Sequence, residues 1–402
     1  MPKSLRGNRD LIRAINRSTV LNTVKTFGPV SRVQIARRTG LSAATITAIT
    51  NDLISSNLIF EKEEGNSSGG RRPILLALNP RGGYVIGIKL AEDHLSAAIT
   101  DLEATLLASL TVPLAGSRPE TALDSIEQIV HALLNEQQVS QHQFLGVGIG
   151  LAGIVDANHG VLCQSPIFGW ENIPVADRLR ERLGVPVYID NDVNTLTMTE
   201  LWFGRGQGID HFLTITVGRG VGLGIVIDGK LYQGYSGGAG ELGHTVIDPE
   251  GSECACGKRG CLETYVADPH LIRLANQDYA RLGMNVILKD IEDLMQRVSQ
   301  GDLIAQGVLA RAGGVFGNSI ANLINILVPQ LIIISGEGVR AGDLFFDPMR
   351  QAIVQHVLPG LAQKYTLEID IWDEYAWARG AAGLVLRQLF ESPIQNLAFM
   401  QQ

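Results

Sequence analysis

One short stretch of this 402-residue chain constrains it more than any other: Glu241 to Glu263, reading ELGHTVIDPEGSECACGKRGCLE. It holds three of the four cysteines, Cys254, Cys256 and Cys261, together with His244. Three thiolates and one imidazole fit a closed tetrahedral zinc site of the structural kind, with no ligand position left open for catalysis. Gly257 and Gly260 let the backbone turn tightly between the second and third sulfurs. A disulfide is the poorer reading, because Cys254 and Cys256 are too close in sequence to bridge comfortably. The expectation is one structural Zn2+ per chain. A metal that gathers this loop also brings its two flanking carboxylates, Glu241 and Glu263, toward each other.

Charge divides the chain. The net charge of −8 hides a basic head: through Arg72 there are twelve Lys+Arg against five Asp+Glu, about +7. The remainder therefore carries about −15. A basic head on an acidic body points to nucleic acid at the N-terminal end. No apolar run approaches the ~20 residues that span a bilayer. The opening MPKSLRGNRD has no apolar signal region, and sparse thiols able to hold zinc suit a reducing compartment, so a cytoplasmic protein is expected.

In the head, Leu11, Ile12, Ile15, Val20, Leu21 and Val24 recur at helical spacing, and Gly28-Pro29 ends that helix. Ser31 can cap a second helix with Val33, Ile35 and Ala36 as its apolar residues and Gly40 as its stop. Ser42 can cap a third, with Ile46, Ile49, Leu53 and Ile54 on the buried side. Two short helices joined by a glycine-containing turn make a helix-turn-helix. Two strands, Leu58–Phe60 and Ile74–Leu78, flank a polar loop and read as a wing. The exposed start of the third helix offers Ser42, Ala43, Ala44, Thr45, Thr47 and Ala48. Such small side chains let a helix lie deep in a major groove. Arg32, Arg37 and Arg38 stand where phosphate contacts are expected. The wing tip ends in Arg71-Arg72, a pair suited to a narrow minor groove.

From about residue 82, strand-like runs alternate with helical patterns: YVIGIKL, LSAAITD, FLGVGIGLAG, VPVYIDND, HFLTITVG, LGIVIDG, LIIISGEG and LEIDIW. Helical patterns fill about 268–328 and 374–391. The alternation argues an α/β fold with glycines clustered at strand ends, where such folds bind ligands. Three polar spots could line a site for a polar ligand: Gly169-Trp170-Glu171-Asn172, Asn191-Asp192-Val193-Asn194, and the Glu241/His244/Glu263 group. Carboxylates and amides held on rigid turns can bond a ligand's hydroxyls.

The E-x-G-H followed by C-x-C-G-x-x-G-C-x-E resembles the signature of the ROK family, which holds bacterial sugar kinases and sugar-responsive repressors. The head, and SSGGRRP above all, resembles the winged helix of the xylose-repressor and N-acetylglucosamine-repressor branch. The resemblance implies a winged helix-turn-helix followed by a two-lobed, actin-like (ribonuclease H-like) sugar-kinase fold. It assigns sugar-hydroxyl contacts to Asn172, Asn191, Asp192, Glu241, His244 and Glu263. In the kinases the aspartate matching Asp192 is the general base, and His244 would touch sugar through one nitrogen while the other binds zinc.

The kinases begin the body with D-x-G-x-T. Here Lys89 replaces the aspartate, Ala91 replaces the glycine, and the threonine is missing. The second phosphate loop, Thr216 to Gly224, keeps its glycines but carries Arg219 in place of a threonine, and Ser335-Gly336-Glu337-Gly338 is partly kept. Phosphoryl transfer depends on positioning and charge neutralisation, and a lysine cannot hold magnesium as an aspartate does. The expectation is therefore a sugar-responsive transcription regulator, a homodimer or homotetramer, that binds operator DNA and a monosaccharide in the cleft between its lobes. A sugar kinase with a fused DNA-binding head is the alternative. The expected domains are 1–80, 81–195 with 376–402 packing back, and 196–375.

Overall fold

The computed structural model describes residues 9–62, 73–370 and 375–390. The chain divides into two compact units, Met1–Asp192 with Trp377–Gln402, and Val193–Ala376. No described helix is long and apolar enough to cross a membrane.

The first unit opens with the head. Helix α1 (Arg9–Phe27) stops at Gly28, whose N–H donates to the Val24 carbonyl at 2.9 Å. A Cβ at Gly28 would lie 2.5 Å from that oxygen, so glycine is required there. Strand β1 (Val30–Ser31) leads into α2 (Arg32–Thr39). The Ser31 hydroxyl accepts from the Gln34 N–H while the Gln34 carboxamide accepts from the Ser31 N–H, a reciprocal capping box. Gly40, at φ 71°, turns the chain toward α3 (Ala43–Ser55), capped by Ser42 as expected. Strands β2 (Ile59–Lys62) and β3 (Leu75–Leu78) join β1 in a small antiparallel sheet ordered β1-β3-β2. The wing thus has three strands, not two, because the residue pair before α2 also finds a partner on β3.

Val20, Leu21, Ile35, Ile46, Leu53 and Leu76 form the buried centre of the head. Val33 departs from expectation: it is 61% exposed. An eight-residue helix presents little more than two turns to the core, and Ile35 takes that contact. Ile54 is only partly buried.

The rest of this unit is a five-stranded mixed sheet with helices against it. In chain order come β4 (Tyr84–Leu90), β5 (His94–Thr100), β6 (Leu106–Pro113), α4 (Pro119–Glu136) and β7 (Phe144–Leu151). Then follow β8 (Ile154–Asp156), β9 (Val161–Ser165), β10 (Trp170–Ile173), α5 (Val175–Leu183) and β11 (Val187–Asn191). The main sheet runs β11-β7-β4-β5-β6, and β8, β9 and β10 make a separate antiparallel sheet. Strands β4, β7 and β11 are parallel neighbours, and β4 and β7 are nearly continuous in apolar or glycine residues, as strands covered on both faces must be.

Helix α6 (Asp192–Phe203) leads from Asp192 into the second unit, which builds a second five-stranded sheet from β12 (Phe212–Val217), β13 (Val221–Ile227), β14 (Lys230–Leu231), β15 (Leu331–Ser335) and β16 (Thr366–Ile369). Its order is β14-β13-β12-β15-β16. Helices α7 (Glu263–Val266), α8 (Asp268–Arg281), α9 (Ile291–Ser299), α10 (Leu303–Leu327) and α11 (Asp343–His356) surround it. Helix α10 meets α11 at Gly313 and Gly317, where a Cβ would fall 2.0 and 2.3 Å from the Phe345 and Met349 carbonyl oxygens.

The last described helix, α12 (Ala376–Phe390), returns to the first unit. It lies on glycines of the sheet. A Cβ at Gly87 would be 1.8 Å from the Ala378 oxygen, and one at Gly148 only 1.7 Å from the Ala381 oxygen.

Candidate metal centre, sugar residues and DNA-binding head

The cysteine loop folds as its glycines suggest. A short 3-10 turn, Leu242–His244, presents the imidazole. The Gly257 N–H closes a turn on the Cys254 carbonyl at 2.9 Å. Gly260, at φ 65°, lies so close to Asp248 that a Cβ would be 1.5 Å from its carbonyl oxygen. The ligand atoms of His244, Cys254, Cys256 and Cys261 lie within 4.8 Å of one another. Cys254 Sγ is 3.6 Å from His244 Nδ1, and Cys256 Sγ is 3.6 Å from Cys261 Sγ.

Tetrahedral zinc–thiolate bonds of ~2.3 Å place their sulfurs ~3.8 Å apart, so these separations suit a shared ion. They are far longer than a disulfide's ~2.05 Å, and all four cysteines are free. Burial raises the Cys254 thiol and pushes Cys261 up to about 12. Burial also acts upward on Cys256, but the Lys258 backbone N–H and the neighbouring thiols outweigh it and the net direction is down. Thiols this close repel one another as thiolates, and a divalent cation removes that conflict. The four residues could hold a metal.

His244 turns Nδ1 to the sulfurs and leaves Nε2 4.0 Å from Glu241 Oε2. Glu263 Oε2 accepts from the Val221 N–H at 3.3 Å and lies 3.3 Å from where a Cβ on Gly243 would stand. The fold therefore gathers Glu241, His244 and Glu263 around one turn. In the first unit, Asn191 ends β11 and donates through Nδ2 to the Gly153 carbonyl at 3.0 Å, while its N–H donates to Asp190 at 2.7 Å. Asp192 opens α6. Asn172 is exposed on β10 and left-handed at φ 51°. Sequence reasoning missed Asp190, a carboxylate only 1% exposed that fixes the turn carrying Asn191 and Asp192. Its place inside the strand-like run VPVYID, one residue before the end of β11, was the available signal.

The two glycine-containing loops singled out in the sequence meet side chains of the fold. Lys89 Nζ stands 3.8 Å over the Trp377 ring. Around the second loop, Glu337 Oε2 is 2.5 Å from the Cβ position of Gly218. Asp268, paired with Arg340, is nonetheless raised by burial, which the guanidinium only partly offsets.

In the head, Ser42, Ala43, Ala44 and Thr47 are exposed on α3, and Thr45 is half-buried. Arg37 is exposed on α2. Arg32 is engaged internally, donating to the Thr50 hydroxyl at 3.1 Å and to Glu61 at 2.9 Å. Arg38 stacks on the Phe27 ring at 3.8 Å. Arg71 and Arg72 lie outside the described residues.

The profile of the ROK family matches residues 85–388. The chain belongs to the ROK family. Among its relatives, a putative xylose repressor of Caldicellulosiruptor is 31% identical over 397 residues, covering 96% of this chain and 99% of the relative. The transcriptional dual regulator NagC of Escherichia coli is 31% identical over 389 residues, 95% of each chain. A solved ROK transcriptional regulator, a homologue of the E. coli MLC protein, superposes with a TM-score of 0.85 at 27% identity, covering 98% of this chain and all of that one. A ROK glucokinase of Streptomyces griseus, solved with glucose and AMPPNP, superposes with a TM-score of 0.65 at 29% identity and covers 75% of this chain. The ROK repressors and the ROK kinases thus share the α/β body found here.

Proposed function

We propose that this ROK protein is a cytoplasmic, sugar-responsive repressor whose winged helix binds operator DNA and whose body binds a monosaccharide. The observation that carries the reading is coverage. The ROK regulator accounts for 98% of the chain, head included, while the glucokinase accounts for 75%. A head with capped α2 and α3 and an exposed row of small residues on α3 supports insertion in a major groove. Arg37, Arg71 and Arg72 are assigned to phosphate or minor-groove contacts, whereas Arg32 serves the head by bridging α2, α3 and β2.

Asn172, Asn191, Asp192, Glu241, His244 and Glu263 are assigned to the sugar, and His244, Cys254, Cys256 and Cys261 to a structural zinc. Were His244 to bind the metal through Nδ1, its Nε2 would carry the proton and could donate it to a sugar oxygen, with Glu241 Oε2 4.0 Å from that nitrogen. Sugar binding would shift the balance between conformations that suit and do not suit two operator half-sites in an oligomer.

A kinase is the second reading, favoured by the likeness to a glucokinase. Against it, Lys89 replaces the phosphate-loop aspartate and is stacked on Trp377. The test is thermal stability with D-xylose, D-glucose and N-acetylglucosamine, with and without ATP and magnesium. One sugar should stabilise the protein without nucleotide, and Asp192→Ala should abolish the shift while operator binding survives. ADP release with any sugar would replace this reading with the kinase.

A further inference from the structure

The head carries a groove whose α1 wall none of the DNA assignments above uses. It is about 340 Å³ in volume, lined by Ile12, Arg13, Asn16 and Arg17 of α1 and by Thr45, Ala48, Ile49 and Asp52 of α3. Successive helical residues are rotated by ~100°, which places Ala44, Thr47, Ala48 and Asn51 along the outward face of α3. Thr45 and Asp52 then lie on one flank of that face and Thr50 on the other. The Thr50 flank is held by Arg32. The Asp52 flank is held by Arg13 and Arg17. The helix expected in the major groove is therefore edged by arginines on both sides.

We propose that Arg13 is a phosphate contact, gripping the DNA strand that passes along the α1 side of α3. The two guanidiniums of the groove differ. Arg17 donates through Nε to Asp52 at 2.9 Å and through Nη2 to Ser56 at 3.3 Å, with a side chain 32% exposed. It is fixed to α3. Arg13 reaches Asp52 only at 3.8 Å, and its side chain is 75% exposed. An exposed pair this long constrains the arginine little, so Arg13 is free to turn to a phosphate while Arg17 keeps Asp52 satisfied. Two guanidiniums against one carboxylate leave the groove net positive. Arginine's planar fork also matches a phosphate's oxygens. This inference rests on the DNA-binding reading and adds to it a contact from the first helix.

The experiment is a salt titration of binding to a fluorescein-labelled, random-sequence 30-base-pair duplex, followed by anisotropy. Each phosphate contact contributes about 0.9 to the slope of log affinity against log salt. Arg13→Ala and Arg13→Gln should each lower the slope by about that amount. Over a fourfold rise in salt they would then lose about 3.5-fold less affinity than the wild type. Arg13→Lys should keep the slope. Arg281→Ala, at a 77% exposed arginine of the second unit, should change nothing. A wild-type slope in both Arg13→Ala and Arg13→Gln, with unchanged melting, overturns the contact and assigns the groove elsewhere. Absence of salt-dependent binding by the wild type would instead sink the DNA-binding reading itself.

Discussion

Acidification should strip the metal steeply, and the steepness follows from the thiols. In the metal-free fold Cys254 is raised and Cys261 lies at about 12, so both are protonated throughout pH 6–8. A bound cation depresses them, and both protons leave when metal enters. Stability linked to the metal is therefore present toward high pH and lost as pH falls. Two protons released mean an affinity that falls about 100-fold per pH unit, or about 2.7 kcal/mol. Cys256, whose pKa is lowered, adds up to one further proton toward the acid end of that range. The assay is competition for Zn2+ against a chromophoric chelator at half-unit steps from pH 8 to pH 6, corrected for the chelator's own protonation. The log of the affinity should rise with pH at a slope of two to three. A slope below one would mean that the ion is not held by these sulfurs. Cys256→Ser should lose the ion and lower the melting temperature in the same preparation.

Gly148→Ala should cost about 3 kcal/mol or more by denaturant unfolding, because its Cβ would stand 1.7 Å from the Ala381 oxygen and neither backbone can retreat. A cost under about 1 kcal/mol would show that α12 is not seated as described. Arg32→Ala should lower stability by about 1 kcal/mol through loss of the Thr50 and Glu61 bonds. Arg37→Ala should instead weaken DNA binding at unchanged melting, and the reverse pattern would exchange their roles. Lys89→Asp should yield no ATP turnover and should lower stability, since it removes the cation from the Trp377 face. ADP release by that variant would show that one side chain alone separates this protein from a kinase.

The clustering of His244 with the three cysteines, the capped helices of the head and the run of α/β strands were legible in the sequence because each is local. A capping box needs residues three apart, and the C-x-C and G-x-x-G-C spacings keep the three sulfurs within a few residues of one another. The strand motifs likewise announced β4, β5, β7, β11, β12, β13 and β15. Other features depend on partners far away in the chain. Val33 reads as core but is exposed, because the contact face of a two-turn helix is set by what packs on it. Arg32 reads as a phosphate contact, and only the fold brings it to Thr50 and Glu61 as well. Glycines 87 and 148 read only as members of strand-like runs and prove to be the floor beneath α12, nearly 300 and more than 230 residues away in the chain. Arg13 carried no local signal, since only the packing of α1 against α3 places it beside Asp52 and the outward face of α3. Short-range hydrogen bonding and ligand spacing are encoded within a few residues, while burial, ion pairing and close backbone contact belong to whichever surfaces the whole chain brings together.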